Sequence, residues 1–158
     1  MFAMFNRPGT VVAAATLAMT ALAAGLPAAL AQNDTVYPAE LSRDDLSGRF
    51  LEGPDAVVVT EDGDEVRDVT SLLSSDGRFA SGMYRAGPSR WEITEPYGVD
   101  EFMYFLEGGV TLTSSDGTVT EIEAGEAVTI PREWTGVWET DGYMKIWVIY
   151  SEDGSALE

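Results

Sequence analysis

Glu101 and Lys145 are the two side chains of this sequence best suited to do chemistry. Each lies in an apolar run, and Lys145 is the only lysine of the chain. A carboxylate removed from water can act as a general acid or base, and a lysine there can hold a ligand carboxylate or act as an amine of shifted pKa. The simpler alternative is structural, a salt bridge from Lys145 to Glu101 or Glu139.

Aromatic side chains form a second group of candidates. Trp134 and Trp138 share one face of a predicted strand, and Tyr143, Lys145 and Trp147 share one face of the next. Such rings can line a pocket for a planar or sugar-like ligand, although aromatic residues in strands more often belong to the core. The candidate ligand-binding residues are Glu101, Lys145, Glu95, Tyr97, Trp134, Trp138, Trp147 and Met103.

The elements that position these residues are predicted to be strands, in an all-β fold. Beyond Pro54 the sequence consists of short apolar or alternating runs separated by turn residues, which predicts ten or so strands. Asp116-Gly117 favours a hairpin over residues 111–122. Within the predicted strand 101–107, alternation places Glu101, Met103 and Phe105 on one face and Phe102, Tyr104 and Leu106 on the other. Both faces are largely apolar, so we expect the outer one to be covered by an arm or by a partner subunit.

The N-terminal segment and the net charge limit the possible location and partners of the protein. Met1–Ala31 has one charged residue, Arg7, an alanine-rich middle and a small-residue ending, which predicts a signal peptide and a periplasmic or secreted protein with no membrane attachment after cleavage. An uncleaved membrane anchor is the alternative. Residues 32–54 read as a polar arm with a short helix opening near Ser42, and residues 55–158 as one β domain. The net charge of −18 makes nucleic acid an unsuitable partner.

Two motifs resemble those of the cupin superfamily. Glu101-Phe-Met-Tyr-Phe-Leu-Glu-Gly108 and Gly125-Glu-Ala-Val-Thr-Ile-Pro131 match its two conserved motifs in spacing, and Gly136-Val-Trp-Glu139 with Lys145 is similar to the (S)-ureidoglycine aminohydrolase cupin-domain subfamily. The resemblance covers about residues 79–150. It implies a double-stranded β-helix, or jelly-roll barrel, with an N-terminal arm, and pairing as a homodimer.

The chain departs from this family at the metal ligands. The three histidines of metal-binding cupins correspond to Glu95, Tyr97 and Gly136, and the whole chain contains neither histidine nor cysteine. Without imidazole or thiolate we expect no histidine-bound metal and no other cofactor. The open alternative is an oxygen site, in which Glu95 and Glu101 with the Tyr97 hydroxyl hold calcium, magnesium or manganese.

The sequence therefore supports two functions. The favoured one is an exported cupin that binds a small organic molecule in a barrel cavity without a histidine-bound metal. The alternative is an enzyme similar to the (S)-ureidoglycine aminohydrolase-type cupins, which uses Glu101 as acid or base and Lys145 as its charge partner.

Overall fold

The structure, a computed structural model, describes residues 36–61 and 64–157, so the predicted signal peptide lies outside the described residues. Residues 39–157 belong to one compact unit. Its nine strands are β1 (Val57–Glu61), β2 (Asp64–Leu73), β3 (Phe79–Ala86), β4 (Ser89–Ile93), β5 (Asp100–Ser114), β6 (Val119–Glu123), β7 (Ala127–Ile130), β8 (Gly136–Thr140) and β9 (Tyr143–Tyr150). The helices described within these ranges are short, and none has the length and apolar character needed to cross a membrane.

The strands pair antiparallel in the order β1-β2-β3-β9-β5-β8-β4, and β5 also pairs with β6 and β7. The sheet curls into a half-barrel. Strand β5 is long enough to serve four neighbours, because its first half pairs with β7 and β9 and its second half with β6 and β8. The expected hairpin is present, with Thr111 opposite Glu121 and Thr113 opposite Val119.

The predicted end of a strand at residue 107 is wrong, because β5 continues to Ser114. The register of β5 against β9 shifts between Phe105 and Glu107, and Gly108 has a φ of 64°. A bulge of this kind bends a strand without ending it, and glycine tolerates the positive φ angle. The glycine pair at 108–109 therefore marks a bend, although the sequence reads equally well as a turn.

Residues 41–51 of the arm pack on the outer surface of the sheet. A short helix, α1 (Arg43–Leu46), follows Ser42, whose hydroxyl accepts from the Asp45 backbone N–H while the Asp45 carboxylate accepts from the Ser42 N–H. This capping box satisfies two backbone donors and explains why a helix of one turn forms. Leu51, from a 3₁₀ helix (Arg49–Glu52), is fully buried in a cluster with Val69, Met83 and Met144.

The two faces of β5 differ as alternation predicts. Glu101, Met103 and Phe105 are buried inside the half-barrel, whereas Phe102 and Tyr104 on the outer face are 42% and 37% exposed. The arm reaches only the Leu106 end of this outer face. The inner face therefore carries the candidate site.

Candidate functional site

A buried ion pair lies at the centre of the inner face. Lys145 Nζ is 2.8 Å from Glu101 Oε1, and each residue is 1% exposed. Strand pairing brings them together, because β9 runs antiparallel to β5 with Lys145 opposite Phe105 and Ile149 opposite Glu101. The long lysine side chain spans the remaining distance along the strands. Met103 lies between them, and its Sδ is 2.9 Å from Nζ.

Tyr97 completes this group from the loop between β4 and β5. Its hydroxyl donates to Glu101 Oε2, so both carboxylate oxygens have a donor. The Tyr97 and Gly98 backbone N–H groups donate to the carbonyl oxygens of Trp134 and Arg132, at 3.0 and 2.8 Å. Burial, and then the negative charge of Glu101 and the hydrogen bond to it, raise the Tyr97 pKa well above its usual value. Tyr97 therefore stays neutral and acts as a donor; we call Tyr97, Glu101 and Lys145 the polar centre.

Three aromatic rings surround the lysine ammonium. Nζ is 5.6 Å from the ring centroid of Tyr84, 5.2 Å from that of Trp138 and 5.6 Å from that of Tyr143. Tyr143 packs against both other rings, at centroid distances of 5.9 and 5.8 Å. Burial is the largest cause of a raised Tyr143 pKa. We call these three residues the aromatic cage; desolvated cation–π contacts of this kind stabilise a charge by about 2 kcal/mol.

The indole nitrogens of the barrel differ in their partners. Trp134 Nε1 donates to Ser114 Oγ at 3.1 Å, and Trp147 Nε1 donates to Asp68 Oδ1 at 3.0 Å. The Trp138 Nε1–H is buried and has no hydrogen-bond partner among the residues that the structure describes. Because a buried unpaired donor is costly, this nitrogen is suited to bind a molecule that brings an acceptor.

Most residues expected to bind a ligand come together, and Glu95 does not. Tyr97, Glu101, Met103, Trp138 and Lys145 contact one another as described, and Trp134 packs edge-on against Tyr97 at 6.3 Å. Trp147 is buried on the same strand as Lys145, where it is held by Asp68.

Glu95 lies exposed in the loop after β4, because β4 ends at Ile93 instead of continuing to residue 95 as predicted. Its side chain thus faces solvent, whereas Glu101 and Lys145 are buried. Trp134 also lies outside a strand, although it was predicted to share one with Trp138, because β8 begins only at Gly136.

Tyr84 and Tyr143 are site residues that the candidate set lacked. The sequence signal for Tyr143 was its shared face with Lys145, two residues away. Tyr84 lies directly opposite Lys145 in the pairing of β3 with β9, across 60 residues of sequence. Only the strand order reveals that neighbour.

The metal site of the resembling family does not fit this chain. A Cβ atom at Gly136, where that family has its third histidine, would lie 2.2 Å from the Thr113 carbonyl oxygen and 2.7 Å from the Trp134 ring. Tyr97 is engaged with Glu101, and no group of three or more acidic side chains within residues 36–61 and 64–157 is arranged to hold a metal ion. The described residues therefore do not fit the metal site of that family.

A wide groove lies at the other end of β5. Its volume is about 1000 Å³, and it is lined by Gly108–Thr111, residues 121–124 of β6 and the turns at 88–90 and 139–142. Four acidic side chains and Arg90 border it. The groove shares no lining residue with the polar centre or the cage.

The curled antiparallel half-barrel, with few helices, matches a cupin β-barrel fold. A family model described as the EutQ-like cupin domain matches residues 73–145, which include every residue of the polar centre and the cage. The family match and the fold together support the cupin superfamily.

Solved structures similar to this chain include a Pseudomonas syringae protein of unknown function, with a TM-score of 0.53 and 16% identity over 60% of this chain and 43% of that one. Ectoine synthase from P. lautus has a TM-score of 0.51 and 14% identity, over 65% and 73% of the two chains. The Clostridium difficile EutQ protein has a TM-score of 0.46 and 23% identity, over 63% and 78%. No curated protein matches the chain. At these identities the similarity shows the fold alone.

Proposed function

We propose that this chain is an exported cupin that binds a small organic molecule inside its barrel, at the polar centre, without a histidine-bound metal. The observation that carries the proposal is the fully buried Glu101–Lys145 pair, held by Tyr97 and enclosed by three aromatic rings.

Stability alone is a weak reason to bury such a pair. Removing two charges from water costs several kcal/mol for each ion, and apolar residues of similar volume are often as stabilising or more so. Much of the inner face is apolar, with Met103, Phe105, Leu112 and Ile149 all buried. Ionisable groups gathered in an apolar barrel are instead typical of binding and catalytic sites.

Tyr97 and its loop provide the route by which a ligand would reach the pair. The loop between β4 and β5 is tied to the segment before β8 by two backbone hydrogen bonds and by the contact of Tyr97 with Trp134. Breaking these few interactions would uncover Glu101 without disturbing the strands. We propose that the ligand enters there and replaces the Tyr97 hydroxyl or packs beside it.

Export is part of the proposal and is tested separately. The support is the leader pattern of residues 1–31. N-terminal sequencing of the protein from the cell envelope should begin at Gln32 or within a few residues of it. Recovery of the intact chain in the membrane would contradict export.

An enzyme similar to the (S)-ureidoglycine aminohydrolase-type cupins is the second candidate. One observation favours it, because Glu101 is a buried carboxylate in contact with Lys145, the residue that this alternative assigns as its charge partner. Turnover of ureidoglycine by the metal-free chain, abolished by Glu101→Gln and retained by Glu107→Gln, would establish this activity in place of simple binding.

A homodimer is also proposed, on the basis of the exposed outer face of β5. Phe102 and Tyr104 are large apolar side chains that this chain leaves uncovered. Surface patches of this kind often mark protein contacts.

Native mass spectrometry of the protein purified from its own cell envelope tests binding and assembly together. We expect a dimer that retains a small organic molecule, and we expect Glu101→Gln to lose that molecule. Glu107→Gln is the matched control, because Glu107 lies exposed on the same strand. A ligand-free wild-type chain, or a ligand equally retained by Glu101→Gln, would contradict the proposed site.

A further inference from the structure

Two hydrogen-bond donors of the polar centre and the cage have no acceptor among the residues that the structure describes. The Lys145 ammonium has three N–H donors. Glu101 Oε1 and Met103 Sδ accept two of them, and the third has no acceptor among the described residues. The buried Trp138 Nε1–H is likewise without an acceptor there. The centroid of the Trp138 ring lies 5.2 Å from Lys145 Nζ, so the two donors lie close to each other.

This region has no cation left over for an anionic ligand among its described residues, and the Asp68 carboxylate adds a negative charge close enough to help raise the Tyr143 pKa. Lys145 and Glu101 carry opposite formal charges and contact each other. The burial that raises the Tyr97 and Tyr143 pKa values keeps both hydroxyls neutral. A carboxylate ligand would therefore add a buried negative charge that no further cation in the cluster offsets, and an ammonium group has no acceptor to offer Lys145 or Trp138.

The walls of the region are flat. The rings of Tyr84, Trp138 and Tyr143 pack around the ammonium, and Phe105 packs edge-on against Tyr143 at 5.4 Å. Ring faces favour contact with a planar group over a bulky tetrahedral one.

From these features we infer that the ligand is a neutral molecule with a planar acceptor group, such as an amide or lactam carbonyl, whose oxygen accepts from Lys145 Nζ and Trp138 Nε1. This inference rests on the proposed binding function and names the ligand class for that same site. It does not depend on export or on dimer formation.

Three two-carbon probes of similar size separate the possible ligand classes. Acetamide, acetate and ethylamine are titrated separately into the ¹⁵N-labelled mature chain while the indole N–H resonances are followed by NMR. The Trp138 resonance is identified by its loss in Trp138→Phe. We expect acetamide to shift this resonance in a saturable way, and acetate and ethylamine to bind at least about tenfold more weakly.

The variants then test the donor itself. Trp138→Phe keeps a ring in the cage but removes the N–H, and it should weaken acetamide binding by about tenfold, the usual effect of one lost hydrogen bond. Tyr104→Phe is the matched control, because it removes a hydroxyl from the outer face of β5 and should leave binding within about twofold. If Trp138→Phe does not fold, the wild-type titrations still decide the ligand class.

Two outcomes would overturn the inference. If acetate or ethylamine binds as tightly as acetamide, the ligand class is wrong, while the proposed binding function stands. If no probe moves the Trp138 resonance, its N–H is not a ligand contact and the inference fails. The proposed function fails by a different result, a ligand-free wild-type chain in the native mass spectrum.

Discussion

Two cross-strand ion pairs of this chain are chemically alike and differ in their surroundings. Arg90 and Glu139 lie directly opposite each other on β4 and β8, with Nε 3.4 Å from Oε1 and side chains 53% and 51% exposed. Lys145 and Glu101 join β9 to β5 at 2.8 Å, with side chains only 2% exposed. Water and salt can replace the partner of an exposed charge, whereas a buried charge depends on the partner that the fold provides.

This difference in exposure indicates which of the two pairs belongs to a functional site. The surface pair can form and break with little effect on stability, so its role is limited to solubility and the local register of the strands. The buried pair carries a desolvation cost, and it is surrounded by side chains that bind cations and donate hydrogen bonds. The same contrast predicts how each region responds to substitution.

Breaking the buried pair should have the largest effect. Glu101→Gln and Lys145→Met should each lower the free energy of unfolding by about 3 kcal/mol, because each leaves the other charge without its partner. The double variant should cost clearly less than the sum, since it removes both charges. Denaturant unfolding of the four proteins measures this cycle, and additivity within error would show that the two residues do not act as a pair.

Removing the Tyr97 hydroxyl should come next. Tyr97→Phe leaves Glu101 Oε2 without its donor, and a hydrogen bond to a charged group contributes about 2 kcal/mol. Tyr104→Phe, on the exposed face of β5, should change the free energy of unfolding by less than about 0.5 kcal/mol.

The same variant should also alter the pH dependence of stability. Because the folded-state pKa of Tyr97 is raised, the folded chain holds its proton above pH ~10, where unfolded tyrosine releases it. Stability is therefore fully present below pH ~10 and declines as the pH rises toward the folded-state pKa. Tyr97→Phe should make this decline shallower, and Tyr143 accounts for part of what remains. An unchanged slope would mean that Tyr97 is solvated.

Crowding on β8 should produce a smaller effect. Gly136→Ala places a Cβ against the Thr113 carbonyl and the Trp134 ring, and overpacking of this kind costs about 1–3 kcal/mol. Gly117→Ala is the comparison, because its Cβ meets nothing within 4 Å and its cost comes only from the positive φ angle. Equal thermal destabilisation of the two variants would contradict the crowding at Gly136.

The surface pair should give the smallest effect. Glu139→Gln should change the free energy of unfolding by less than about 0.5 kcal/mol, and the change should shrink as salt is added. Denaturant unfolding at low and high ionic strength checks this. A loss near that of Glu101→Gln would show that exposure does not separate the two pairs.

Much of the site was predictable because alternation along a strand is a local property. The common face of Glu101, Met103 and Phe105 follows from a period of two, as does that of Tyr143, Lys145 and Trp147, and both faces are buried as this pattern requires. Strand ends were less predictable. The predicted strand over residues 90–95 included Glu95, yet β4 pairs with β8 only as far as Ile93.

By itself the sequence determined the β class, the hairpin at Asp116-Gly117, the common face of Glu101 and Met103 and the lack of any imidazole or thiolate ligand. The tertiary structure alone decided that β9 lies between β3 and β5, which places Tyr84 beside Lys145 and Glu101 within its reach. It also decided that the Trp138 indole N–H has no acceptor among the described residues. The acceptors for the Trp134 and Trp147 N–H groups come from β5 and β2. The physical reason is that side-chain alternation is set by neighbouring residues, whereas strand order depends on packing between segments distant in sequence.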